Sequence, residues 1–329
     1  MRRVTLGTTG IETSCLGFGC ASLGSRVGEG PGLRALAAAH DAGVTWLDLA
    51  PLYGAGRAEE IAGRFLAGRP RDSVQLCSKV GLAPGVRAPG LKAALMPVAR
   101  AAVQAVPALR GLLRRGGAQP AAALPLTPAL LTATLEESLR RLGTDHLDLY
   151  ALHGVAASAL TDEVLRALDD IRASGKARAV AVASDAAAGL AALAIGAPFG
   201  VVQAAVPAPG APDALLPAAR GAGFGTVLHS VFGVDGSLAA LKSRATADPG
   251  FRAAITGGAG DLDRDLDRAL SRRLLERALA LNPGGVTLVS MFSEASRAAN
   301  LAVAEAPLPP GAGLLDRLLA QPAAQPAAG

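Results

Sequence analysis

Eight short apolar runs, near residues 17, 46, 76, 149, 181, 203, 227 and 288, recur along the chain with a helical segment after each. Alternation of this kind makes neighbouring strands parallel, because each helix crosses back over the sheet before the next strand begins. Eight repeats are the number that closes a parallel sheet into a barrel. The sequence therefore predicts an α/β fold, a (β/α)8 TIM barrel, as one domain over 1–329. Barrels of this length need no second domain. Ahead of the first barrel strand, Val4 to Ser14 reads as an N-terminal β-hairpin, two alternating runs around Gly7-Thr8-Thr9-Gly10.

Helices follow from local signals. Pro31–Asp41 and Ala58–Leu66 carry apolar faces at helical spacing, and Thr161–Ala173 puts Val164, Leu165, Leu168 and Ile171 on one side. Thr127-Pro128 is a helix start, with a hydroxyl to cap and a proline at the first helical position. The loops after the third and seventh barrel strands are extended. The first, 82–126, is an insertion rich in proline, glycine and leucine, with helical character over Ala93–Leu113 broken at Pro97 and Pro107. It is expected to be a lid or a subunit contact. The second runs from Val231 to about Gly260 and precedes a charged helix, Asp261–Leu281. The Pro/Ala-rich tail, 307–329, is expected to be flexible, although Leu314–Leu319 has the apolar pattern to dock.

Composition removes several function classes. The net charge is +5, but the arginines are scattered or lie on helical segments, as Arg268, Arg272, Arg273 and Arg277 do. The compact loop pair Arg114-Arg115 has no interleaved aromatics, so no nucleic acid is expected as a partner. Three cysteines without a CxxC spacing read as reduced core residues. No apolar leader develops after Met1-Arg2-Arg3. The charge-free run from Ala186 to Pro212 is interrupted by glycines and prolines, so it reads as helix, turn and strand rather than a membrane span. A soluble, cytoplasmic protein is expected. Asp261, Asp263, Asp265 and Asp267 imitate a calcium loop, but Leu266 and Arg272 stand where its glycine and glutamate belong, so no metal is expected.

The chemistry concentrates around Val44-Thr45-Trp46-Leu47-Asp48-Leu49-Ala50-Pro51-Leu52-Tyr53-Gly54. Asp48, Lys79 and His153 end the second, third and fourth barrel strands, and Tyr53 lies on the loop just past Asp48. Alone, each has a plainer role as a cap, a salt bridge, a packing residue or a loop anchor. Together they form a proton donor. A phenol has a reference pKa of about 10. A neighbouring ammonium lowers that value, and a carboxylate beside the lysine keeps the lysine charged. His153 would then orient a carbonyl or pass the proton.

These residues sit in segments that resemble the aldo-keto reductases: Leu16-Gly17-Phe18-Gly19, Leu47-Asp48-Leu49-Ala50-Pro51-Leu52-Tyr53-Gly54, Ser78-Lys79-Val80-Gly81, and Ser138-Leu139-Arg140-Arg141-Leu142-Gly143 through Asp148-Leu149-Tyr150-Ala151-Leu152-His153. The resemblance covers 3–82 and 127–304 and implies a catalytic tetrad of Asp48, Tyr53, Lys79 and His153. It implies NADP(H) or NAD(H) laid across the barrel mouth without a Rossmann fold. Consistently, Gly17 and Gly19 lack the third glycine of the dinucleotide fingerprint, Ser22 standing in its place. Ser184, Asp185 and Gln203 would meet the carboxamide, with Asp185 in the place of the usual asparagine. His229, before Ser230, takes the place of a stacking aromatic, and Ser290 that of a phosphate-side glycine. Asn300 matches an adenine contact, while Ser296 replaces the arginine that grips a 2′-phosphate and Arg297 stands beside it. Gly19 and Cys20 complete the implied cofactor set. The function implied is hydride transfer to or from the carbonyl or alcohol carbon of an aldehyde, ketone or sugar. Two other readings share the barrel: a cofactor-sensing regulatory subunit, and a lyase or isomerase using Lys79 as a Schiff-base nucleophile. The expected partner is a small carbonyl or alcohol, with a homo-oligomer through the insertion as the other option.

Overall fold

The computed structural model describes residues 1–83, 121–211, 213–233, 237–257, 264–307 and 313–320. The expected hairpin is present: β1 (Arg3–Thr5) pairs antiparallel with β2 (Glu12–Ser14). The barrel strands are β3 (Leu16–Gly19), β4 (Trp46–Asp48) and β5 (Gln75–Val80), then, beyond the short β6 (Leu82–Ala83) and β7 (Ala122–Ala123), β8 (Leu147–His153), β9 (Ala177–Ala183), β10 (Phe199–Ala205), β11 (Gly225–His229) and β12 (Val286–Val289). They pair in parallel in sequence order, and β12 returns to β3 to close the ring. These strands are buried on both faces, which is why they read as short continuous apolar runs.

The local signals explain the helices. Thr127 Oγ1 accepts from the Leu130 amide at 3.2 Å, Pro128 follows, and Gly143 ends the helix Pro128–Leu142 with φ 66°. Thr161 caps Asp162–Ala173 in the same way. Within the long connection after Val231, Asp248 with Pro249 starts a helix, Pro249–Thr256, and Ser237–Ala247 is a second helix. Both pack on Arg264–Leu281 around a separate small core of Leu241, Phe251, Ile255, Leu266, Leu270 and Leu274. Leu315 belongs to this core. Within the segment expected to be a flexible tail, Leu314–Ala320 is therefore a docked helix. Arg277 ties it down, donating from Nε to Asp316 Oδ2 at 2.7 Å and from a terminal nitrogen to the Pro207 carbonyl at 2.6 Å.

The base of the 82–126 insertion is a two-stranded antiparallel ribbon, β6 with β7. The helical stretch expected over Ala93–Leu113 lies outside the described residues, as do Asp261 and Asp263. Among the described residues no helix is long and apolar enough to cross a membrane.

The beginnings of the strands hold a buried charge cluster. Asp148, second in β8, accepts at 2.8 Å from the Leu76 amide, from Arg71 and from Arg178. Removing a buried carboxylate that satisfies two guanidiniums leaves uncompensated charge. Asp148→Ala should cost about 3 kcal/mol of stability, read as a lower urea midpoint at unchanged slope. A midpoint within error of the parent would contradict this account.

Candidate active site

Asp48 is the last residue of β4, and its register partner on β5 is Cys77. Lys79 lies two residues beyond Cys77, so strand alternation puts its side chain on the same face as Asp48. That face is the barrel interior. Asp48 Oδ2 accepts from Gln203 Nε2 at 3.0 Å, and Gln203 belongs to β10, directly across the ring from β4. Trp46, two residues before Asp48, fills the interior below it beside Gly17, where a Cβ would lie 2.7 Å from Trp46 Cδ1.

Lys79 Nζ donates to Asp48 Oδ1 at 2.6 Å and to the Leu49 carbonyl at 2.8 Å. The Tyr53 ring centroid is 5.2 Å from the same nitrogen. Tyr53 opens a short turn through Gly56 in which Gly54 has φ 60°. A Cβ at Gly54 would sit 2.9 Å from the Leu23 carbonyl oxygen, so glycine is required both for its backbone angle and for contact with the neighbouring loop. His153, the last residue of β8, meets Tyr53 edge to face with ring centroids 6.4 Å apart. The structure thus brings all four candidate catalytic residues to one mouth.

Their protonation follows from competition between burial and charge. Burial works against the Lys79 ammonium, but Asp48 and then Tyr53 outweigh it and hold the group above the ordinary lysine value. For Tyr53 the balance goes the other way. Burial raises the phenol, Lys79 lowers it and Asp48 raises it again, leaving it at about 12. The expectation that Lys79 makes Tyr53 acidic is therefore corrected: the pull of the ammonium is present, and desolvation exceeds it. Burial pushes His153 down, Lys79 adds to the effect against Asp48, and the result is about 4. Burial likewise lowers His229. At neutral pH the site holds one ion pair, a protonated phenol and two neutral imidazoles.

One cavity adjoins this centre at His153, and a second lies past the end of β12. The first, of about 540 Å³, is lined by His153, Ser184, Asp185, Val206, Asp213 and His229 among others. The second, of about 830 Å³, lies past β12 and is lined by Phe232, Arg268, Arg272, Ser290, Ser296 and Asn300 among others. Of the implied cofactor residues, Ser184, Asp185 and His229 line the first, and Ser296 and Asn300 the second. Gln203 fits a carboxamide: its Nε2 donates to Asp48, while its buried Oε1 has no partner among the described residues and can accept from an amide NH2. Ser184 Oγ donates to the Val155 carbonyl at 2.7 Å and keeps acceptor capacity. Asp185 lines the first cavity, yet its Oδ1 caps the following helix, accepting from the Ala188 amide at 2.9 Å. His229 Nδ1 is 2.8 Å from the hydroxyl of Ser230, which has φ 58°. Gly19 ends β3 beside Asp48.

Gly19, Cys20, Gln203, Ser230 and Arg297 line neither cavity. Cys20 is fully buried; its thiol points to the Phe18 carbonyl, its amide donates to the Asp48 carbonyl and its own carbonyl accepts from Leu23. Arg297 does not line the second cavity, whereas Arg268 and Arg272, noted in the sequence only as helical arginines, do. Their four-residue spacing on Arg264–Leu281 was the available signal.

In the unfolded chain His153 titrates near the ordinary 6.5, and in the fold at about 4. Between these values the unfolded chain binds more protons, so the stability gained by keeping His153 neutral is complete above about 6.5 and is lost as pH falls toward 4. An NMR titration should find this imidazole still neutral at pH 5. His153→Asn should lose less thermal stability than the parent between pH 6.5 and 4, and an imidazole titrating near 6.5 would refute the assignment.

A family model described as the aldo/keto reductase family matches residues 15–310. The chain is 28% identical over 179 residues to a probable aldo-keto reductase 1 of Glycine max, covering 53% of this chain and 42% of that one. It is 25% identical over 197 residues to an NADH-specific methylglyoxal reductase of Escherichia coli, covering 56% and 52%. It spans about half the length of the curated relatives it matches. Among solved structures, an aldo-keto reductase from Bacillus halodurans in its holo form superimposes with a TM-score of 0.66 at 22% identity, covering 93% of this chain and 92% of that one. One from Klebsiella pneumoniae, in complex with NADP and acetate, gives 0.63 at 21%, covering 98% and 97%. These structural likenesses establish the shared barrel. With a family match across most of its length, the chain belongs to the aldo/keto reductase family.

Proposed function

We propose that the protein is an NAD(P)-dependent oxidoreductase interconverting the carbonyl of an aldehyde, ketone or sugar and the corresponding alcohol. The observation that carries this reading is the Lys79 ammonium, fixed by Asp48 and the Leu49 carbonyl with the Tyr53 ring beside it. A nicotinamide bound over the mouth would supply or accept the hydride at carbon. Tyr53, protonated well above neutral pH, gives its proton to the oxygen as negative charge develops there. The phenolate left behind sits next to Lys79, which stabilises it. His153, uncharged, can orient the carbonyl by a hydrogen bond without competing as the acid. Ser184 and Gln203 are the groups that fit the carboxamide, and the lining of the first cavity suits a small substrate.

The same geometry speaks against the Schiff-base alternative. Lys79 is buried, charged and held by two hydrogen bonds, so it has no free lone pair for attack on a carbonyl. The free, buried Cys15, Cys20 and Cys77 suit a reducing compartment, and the cytoplasm is our assignment. Leu82, at the foot of the 82–126 insertion, lines the first cavity.

Titration with NADPH and NADH, followed by nicotinamide fluorescence, tests the reading directly. Binding of neither would sink it. Turnover on a panel of aldehydes, ketones and sugars then separates an enzyme from a cofactor sensor. Tyr53→Phe should reduce carbonyl turnover by at least about 100-fold with dinucleotide affinity nearly intact. Unchanged turnover would remove Tyr53 from its role.

A further inference from the structure

We propose that Glu59 is a positioning residue for the proton transfer: from outside the barrel it ties the strand of Lys79 to the turn of Tyr53. This rests on the oxidoreductase reading above. Lys79 and Tyr53 belong to different parts of the fold. Lys79 is on β5 and points into the barrel, where Asp48 and the Leu49 carbonyl hold it. Tyr53 opens the turn through Gly56, and the helix Arg57–Leu66 begins directly after that turn. Loops are held less firmly than the strands they join, so the separation of the two groups calls for a link between them.

Glu59 supplies that link. Ser78 precedes Lys79 on β5, so alternation turns its side chain outward where Lys79 turns inward. The Ser78 hydroxyl donates to Glu59 Oε1 at 2.6 Å. Glu59 stands in the first turn of Arg57–Leu66, where a helix start favours negative charge. A terminal nitrogen of Arg141, on Pro128–Leu142, donates to the other Glu59 oxygen at 3.0 Å. The same guanidinium lies against Gly56: a Cβ there would be 3.0 Å from Arg141 Cζ and Nε. Glu137 takes the other terminal nitrogen of Arg141 at 2.8 Å, so the guanidinium is held on both sides.

Glu59 and Ser78 are both fully buried. A carboxylate without solvent is costly unless its oxygens find donors. Glu59 finds one on each side, a hydroxyl from the strand and a guanidinium set against the turn. For packing alone, an apolar side chain of similar volume would serve without the desolvation. What the carboxylate adds is direction, because its two bonds fix where β5 stands relative to the Tyr53 turn. The Tyr53 ring centroid is 5.2 Å from Lys79 Nζ and 6.4 Å from that of His153. A shift of the turn changes both separations at once, and a displacement of about 1 Å between reacting groups can cost about 100-fold in rate.

The test compares two variants of the full chain: Glu59→Gln, which keeps the size and removes the charge, and the milder Ser78→Ala, which removes one hydroxyl. Each should lower kcat for carbonyl reduction at least about tenfold, with KM and NADPH or NADH affinity by fluorescence unchanged. The double variant should be no slower than the slower single one, because the two side chains act through one hydrogen bond. The solvent deuterium isotope effect on kcat should rise, since proton transfer is the step that slows. A readout without turnover is carbon-13 NMR of the tyrosine rings in the free protein. The chain has two tyrosines, Tyr53 and Tyr150, and Tyr53→Phe assigns the signals. The Tyr53 signal should move in both variants, and Ser78→Ala decides the matter if Glu59→Gln does not fold. A lower melting temperature with kcat and the Tyr53 signal unchanged would make the cluster purely structural and overturn this inference alone. So would a parallel loss of dinucleotide affinity, which would mean a general loosening of the mouth. Dinucleotide binding without turnover by the parent would overturn the oxidoreductase reading and this inference with it.

Discussion

The mouth of the barrel depends on one buried ion pair. Charge removed from water is costly, and a pair such as Asp48–Lys79 is tolerated only when its remaining hydrogen-bonding capacity is met. Here it is met from opposite sides of the barrel: Leu49 takes a second proton of Lys79, and Gln203 donates to the second oxygen of Asp48. Because the two charges cancel, no single sign dominates the space above them. Desolvation then decides the state of the neighbours, and it favours neutral forms for all of them. Tyr53 goes up, while His153 and His229 go down. A site that keeps its acid protonated and its imidazoles uncharged follows from the pair and its burial, without a special device for each residue.

The two ends of the barrel use buried charge differently. At the strand beginnings Asp148 gathers Arg71 and Arg178 into a closed cluster with the Leu76 amide. At the strand ends the Asp48–Lys79 pair has polar groups above it that are incompletely used, among them the buried Oε1 of Gln203. A satisfied cluster contributes rigidity. An unsatisfied one awaits a partner. That contrast separates a face that holds the fold together from a face that performs chemistry.

Much of this was legible in the sequence, for physical reasons. Barrel strands are buried on both faces, so eight apolar runs could be counted and their ends located, and Asp48, Lys79 and His153 stood out there because ionisable side chains interrupt apolar runs. Thr127-Pro128 marked a helix start correctly; Asp248-Pro249 carried the same signal and went unread inside a long connection. What sequence could not supply was the balance of competing forces. The sign of the Tyr53 shift depends on how deeply the ring is buried, and the surroundings of Cys20 depend on where its three polar groups find partners. The second cavity needs two helices, Arg264–Leu281 and Glu294–Glu305, to be laid side by side before it exists at all.

The guanidinium of Arg277 also joins places far apart in the chain. It holds Asp316 on the Leu314–Ala320 helix and, with its other nitrogens, the carbonyls of Pro207 and Ala208. Pro207 lines the first cavity. The loop that borders the first cavity is thus tied to the Leu314–Ala320 helix as well as to the barrel, where the Val206 amide donates to the His229 carbonyl. Sequence changes in the outer helices can therefore reshape the wall of that cavity while leaving the inner group of Asp48, Lys79 and Gln203 untouched.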